Sequence, residues 1–137
     1  MSIIGNAVTL GGGGEPELLW TNPDPTASFA SDTVVQVPGG YDGYIVEIRW
    51  STGGGTLPEQ YRQIFVPNPL IFDNYTKFYL SGTFYNAQGN TTYRQIKSME
   101  NGVFTFGAGY TPGNYGSWSV DNNYCIPNRI WGVKWTI

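Results

Sequence analysis

The sequence predicts an all-β protein, a single antiparallel β-sandwich. Three observations carry that reading. Of 137 residues, 16% are aromatic and only 12% are charged, a balance that suits half-buried pleated strands better than solvated helices. Nineteen glycines and nine prolines break the chain at short intervals, as closely spaced strands and turns require. No stretch offers a helical apolar stripe longer than two turns, whereas several alternate with the period of a strand. The length fits one domain, residues 1–137, which buries about two thirds of its unfolded surface without a disulfide or a metal.

Residues 3–10 read as a short strand and Gly11-Gly12-Gly13-Gly14 as a flexible connector, so 1–14 form an N-terminal strand and linker. The glycines lack the Lys-Ser/Thr that a phosphate-cradling loop needs. Residues 17–20 make a second strand, closed by the turn cluster Thr21-Asn22-Pro23-Asp24-Pro25-Thr26. Residues 33–37 make a third, ended by Pro38-Gly39-Gly40. Residues 44–50 give the clearest central strand, with Tyr44, Val46, Ile48 and Trp50 on one face. Glu47 and Arg49 share the other face, which reads as solvated, with pairing to neighbouring strands or across a subunit boundary as the alternative. Gly53-Gly54-Gly55 breaks that strand, and residues 61–66 start the next. Residues 77–97 read as one hairpin turning at 87–90, and Asn101-Gly102 marks a turn before residues 103–106. The last strand alternates Trp131, Val133, Trp135 and Ile137 against Gly132, Lys134 and Thr136. The expected core is Trp20, Val35, Val37, Tyr44, Val46, Ile48, Trp50, Phe104, Phe106, Trp131, Val133 and Trp135. A jelly-roll-like sandwich would accommodate this order.

Composition excludes several chemistries. A net charge of −3 and dispersed lysines and arginines give no basic field for nucleic acid. The chain has no histidine, so a Ser-His-Asp triad is excluded. Its one cysteine, Cys125, cannot form an intrachain disulfide or a zinc site and reads as a small buried hydrophobe. Asp24, Asp32, Asp42, Glu47, Glu59, Asp73, Glu100 and Asp121 include candidates for a glycosidase pair, but most lie in turns, where Asp bonds the local backbone. Calcium stays open as an alternative at Asp121, Asn122 and Asn123, although they lack the spacing of an EF-hand loop. The expectation is a non-enzyme with no catalytic residue, metal or cofactor. The start lacks a secretion signal and no segment has the length of an apolar span, so synthesis in a cytoplasm without membrane insertion is expected.

The candidate binding segment is 107–124. It mixes Tyr110, Tyr115 and Trp118 with Asp121 and Asn122. Flat rings can pack on the apolar face of a sugar, while amides and carboxylates bond its hydroxyls. These five residues are the expected carbohydrate site. The competing expectation is that the rings fill a small core of the loop's own and the glycines serve its turns.

Four stretches, taken together, resemble a known group. They are Leu19-Trp20-Thr21-Asn22-Pro23 with Phe29-Ala30 and Thr33-Val34, then residues 41–50, then Gly102-Val103-Phe104-Thr105-Phe106-Gly107-x-Gly109-Tyr110, and last Asn122-Asn123-x-Cys125-Ile126-Pro127-x-x-Ile130-Trp131-Gly132-Val133-Lys134. This order is similar to small all-β structural proteins of tailed bacteriophages and prophages, especially those of Gram-positive gut bacteria. Residues 57–97 lie outside the resemblance. It implies a virion component made in the host cytoplasm, such as a tail tip, fibre or baseplate module. It also implies a homotrimer, contacts with other virion proteins, and binding of a host cell-surface glycan. A capsid decoration or head-fibre protein without a receptor is the alternative, and a polysaccharide-degrading tail enzyme a more remote one. The matched motifs are strand and turn residues, so the resemblance brings no catalytic residue with it.

Overall fold

A computed structural model describes residues 14–49, 61–70, 78–83, 91–112 and 118–135. The expected strand at 3–10, the glycines 11–13 and 53–55, the hairpin tip 87–90, Trp50, Tyr115 and Ile137 lie outside the described residues. The described residues form nine strands and no helix: β1 (Glu17–Thr21), β2 (Val34–Gln36), β3 (Gly43–Arg49), β4 (Tyr61–Pro67), β5 (Phe78–Thr83), β6 (Thr91–Glu100), β7 (Val103–Pro112), β8 (Trp118–Val120) and β9 (Ile126–Val133).

All pairings are antiparallel. One sheet has the order β1-β9-β3-β4, and the second has β2-β7-β6-β5 with β8 also on β7. β2 holds β7 at Val103–Thr105 and β8 holds it at Tyr110–Pro112, so the two short strands flank opposite ends of β7. The sheets pack face to face around Val35, Tyr44, Val46, Ile48, Val66, Leu80, Ile96, Met99, Phe104, Phe106 and Ile130. The expected two-sheet sandwich is present. It contains a β3–β4 hairpin and a β5–β6–β7 meander; jelly-roll detail does not follow from such local features.

Turn chemistry explains the tightest connection. Glu100 pairs with Val103, leaving only Asn101 and Gly102 between β6 and β7. Their φ angles are 46° and 89°, the pattern that a two-residue type I′ hairpin demands and that Asn-Gly accepts. A Cβ on Gly102 would come within 2.3 Å of the Val37 carbonyl, so the end of β2 rests directly on this turn.

The last strand departs from expectation. β9 begins at Ile126 and ends at Val133. Ile130, paired with Val46, enters the core; Trp131, paired with Ile45, lies on the outer face of its sheet. Alternation reveals a strand but not which of its faces is inside. Gly132 resolves this one: it follows Ile130 on the inner side, and a Cβ there would stand 2.5 Å from the Tyr41 ring. Tyr41 fills the space that the glycine leaves and packs against the core. Trp131 is nevertheless buried, with the Arg129 guanidinium 5.0 Å from its ring centroid. Val133 is half-buried, and Trp135 lies beyond the strand, 43% exposed, with its ring centroid 5.3 Å from that of Phe65. Trp20 is partly buried against the core.

Candidate functional site

The segment 107–112 is strand rather than loop, because β7 continues through it to Pro112. Arg94 pairs with Gly109 and Ile96 with Phe106, so Gly107 and Ala108 together face Gln95. Two residues opposite one make a bulge, which re-aims the strand. Beyond it Tyr110 comes directly opposite Tyr93. Thr92, Arg94 and Ile96 point inward on β6, which sends Tyr93 to the outer face. On β5, Leu80 is inward and Tyr79 outward.

Three tyrosines therefore meet on the outer face of the five-stranded sheet. Tyr93 and Tyr110 stack with centroids 4.9 Å apart at 27°, and Tyr79 meets Tyr93 edge-on at 4.6 Å and 70°. Tyr79 is 39% exposed, and Val120, opposite Tyr110, is 62% exposed. Burial, then the neighbouring phenols of Tyr79 and Tyr110, raise the Tyr93 pKa above its ordinary value of 10. Tyr93 stays a neutral hydroxyl that can both donate and accept.

Under this strip lies a buried cation. Arg94 has no exposed surface, and its guanidinium donates five hydrogen bonds to backbone carbonyls: Nε to Cys125 (2.8 Å), one terminal nitrogen to Phe29 (3.0 Å) and Gly107 (2.9 Å), the other to Asn122 (3.1 Å) and Tyr124 (2.9 Å). These bonds use every donor an arginine has. Burial pulls its pKa down to about 10, which leaves it charged at neutral pH. Arg94 thus ties the turn before β9 and the segment at Phe29 to the strand carrying Tyr110. Gly109 must be a glycine here, since a Cβ would stand 2.5 Å from the Asp121 carbonyl and 2.8 Å from Arg94.

The sequence candidates separate. Tyr110 joins the tyrosine strip. Asp121 accepts a hydrogen bond from the Asn123 amide at 3.0 Å, and the Asn122 side chain accepts one from the Gly109 amide at 3.0 Å. Those side-chain oxygens shape the 121–124 turn. Trp118 stands opposite Pro112 in β8, and Tyr115 is outside the described residues. Tyr79 and Tyr93 escaped the sequence reading although both sit in the 77–97 hairpin. Their outward alternation was legible; their meeting with Tyr110 depended on the register across three strands.

The solvated-face reading of Glu47 and Arg49 is corrected. β3 is flanked by β9 and β4, and every residue of it is buried. Glu47 is 2% exposed and accepts from Asn128 (2.7 Å), Gln63 (3.1 Å) and Arg129 through two nitrogens (2.8 and 3.1 Å). About four lone-pair sites exist on a carboxylate, so Glu47 is saturated and has none left for acid–base work. Arg49 donates to the Pro25 carbonyl at 3.3 Å. Among the described residues no three Cys, His, Asp or Glu side chains gather around one point. A groove of about 770 Å³ opens near the β6–β7 turn, lined by Gln36, Ser98, Glu100, Asn101 and Val103 among others. No family model, no curated protein and no solved structure matches the chain.

Proposed function

We propose that the chain is a non-enzymatic structural module of a bacteriophage virion, at a tail tip or fibre, that binds a host surface glycan. The observation that carries the binding role is the strip of Tyr79, Tyr93 and Tyr110 on the outer face of the sheet. Stacked rings are held rigid before any ligand arrives, so little conformational freedom is lost on contact. Their hydroxyls suit sugar hydroxyls, and the free ring surface of Tyr79 suits a sugar's apolar face. The virion setting rests on the four matching stretches of sequence. A homotrimer would multiply weak single contacts, since linked sites raise avidity by roughly 10² to 10⁴.

The test is a neutral-glycan array probed with the wild-type chain and with Tyr93→Ala. A bound glycan, lost in the variant while its melting curve stays cooperative, supports the proposal. No bound glycan, or binding indifferent to Tyr93, contradicts it. A second reading, a capsid decoration without a receptor, is favoured by Leu18, Phe65 and Trp135, which stay exposed at one side of the other sheet. In that case the glycan array stays blank and Leu18→Ser weakens attachment to particles.

A further inference from the structure

The tyrosine strip and the 770 Å³ groove lie on the same outer face and share β6 and β7, the strip reaching on to β5 and the groove to β2. Val103 forms the groove floor between Gln36 and Glu100, its two register partners. From there β7 runs outward-facing through Thr105 and Gly107 to Tyr110. Gly107 keeps the middle of this path low: a Cβ there would stand 2.9 Å from Gln95, whose side chain lies beside it. Seven residue steps separate Val103 from Tyr110, about 20 Å of strand.

The two ends differ in chemistry but suit one ligand. One end offers aromatic rings and phenol hydroxyls. The other offers the amide of Gln36, the NH2 group of Asn101, whose oxygen already accepts from the Gly40 amide at 2.8 Å, a hydroxyl at Ser98 and one carboxylate at Glu100. The groove lining contains no cation, and Lys97 nearby is already paired with Asp32. A polyanionic polymer would meet Glu100 uncompensated.

We infer that the tyrosine strip and the groove are two subsites of one elongated site, which takes an extended neutral polysaccharide along β7 rather than a single terminal sugar. This rests on the glycan reading above and sharpens it.

The experiment measures the affinity of the full chain for neutral oligosaccharides arrayed as length series from disaccharide to octasaccharide. It is repeated with Gln36→Ala/Ser98→Ala, a pair of exposed groove residues, and each variant's melting curve is recorded. Affinity should rise by about tenfold or more once the ligand reaches both subsites. The groove variant should lose that rise, so that it binds long members no tighter than short ones. Equal binding of short and long members, or a rise that survives the groove variant, overturns the elongated site and leaves glycan binding standing. No binding to any member overturns both.

Discussion

Each sheet holds a charged side chain with almost no exposed surface, Glu47 in one and Arg94 in the other, and the two are neutralised in opposite ways. In the β1-β9-β3-β4 sheet, Glu47 lies on the outer side and is satisfied by the side chains of Arg129, Asn128 and Gln63. Beside it runs an apolar row, Leu18, Trp131, Ile45 and Phe65, in direct register across all four strands. In the β2-β7-β6-β5 sheet, Arg94 lies on the inner side and is satisfied by backbone alone. Its outer side carries tyrosines, hydroxyls and amides. A side-chain network can be replaced piece by piece. A cage of carbonyls cannot, because no substitution removes a carbonyl. The difference teaches that Arg94 fixes the shape of the chain beneath the tyrosine strip, whereas Glu47 fixes a surface.

The largest effect should come from Arg94→Met. Five carbonyls lose the guanidinium at once, only that of Asn122 keeping a shown backbone partner, the Phe29 amide at 3.0 Å, and each buried group left unsatisfied costs about 1–3 kcal/mol before relaxation. Relaxation and water entry reduce the total, so a loss of about 4 kcal/mol or outright unfolding is expected in urea denaturation. A loss below about 1 kcal/mol would show that the cage contributes nothing.

Glu47→Ala should cost less, about 2 kcal/mol, because Arg129 is 41% exposed and can turn to water while only Asn128 is left deeply buried. The double variant Glu47→Ala/Arg129→Ala should cost less than the sum of the single changes, as a denaturation cycle would measure. Strict additivity would mean that the ion pair carries no coupling.

Tyr93→Ala removes the central ring of the strip. Stability should fall by about 1 kcal/mol from lost cross-strand contacts, with glycan binding falling far more than stability. The smallest effect concerns Cys125. Burial pushes its thiol up to about 11, against a lesser opposing pull from Thr92 and Arg94. Iodoacetamide at pH 8 should therefore label it only through unfolding. Because its folded pKa is raised, the thiol's contribution to stability is complete below pH 9 and declines as pH climbs towards 11. Fast labelling of the folded chain at pH 8 would contradict the burial.

Much of the scaffold was legible because local chemistry decided it. Asn101-Gly102 dictated its turn, and Tyr44 to Arg49 read as a central strand from alternation alone. The β5–β6 hairpin was visible as two β-rich runs around a turn. What alternation cannot supply is the inner face, and Trp131 shows why: a glycine neighbour and a tyrosine from another segment decided it. Arg94 was one dispersed cation among several, and its five acceptors come from residues 13 to 65 positions away. The candidate site was half legible. Tyr110 was marked by its setting, while Tyr79 and Tyr93 joined it through register and a bulge that no local pattern encodes.

The central claim is that the outer face of the five-stranded sheet binds ligand and the outer face of the other does not. The most direct measurement is a neutral-glycan array probed in parallel with wild type, Tyr93→Ala and Leu18→Ser, all verified as folded. The account predicts one shared binding profile for wild type and Leu18→Ser, and its loss in Tyr93→Ala. Retained binding in Tyr93→Ala, loss in Leu18→Ser, or a blank array for the wild type would contradict it.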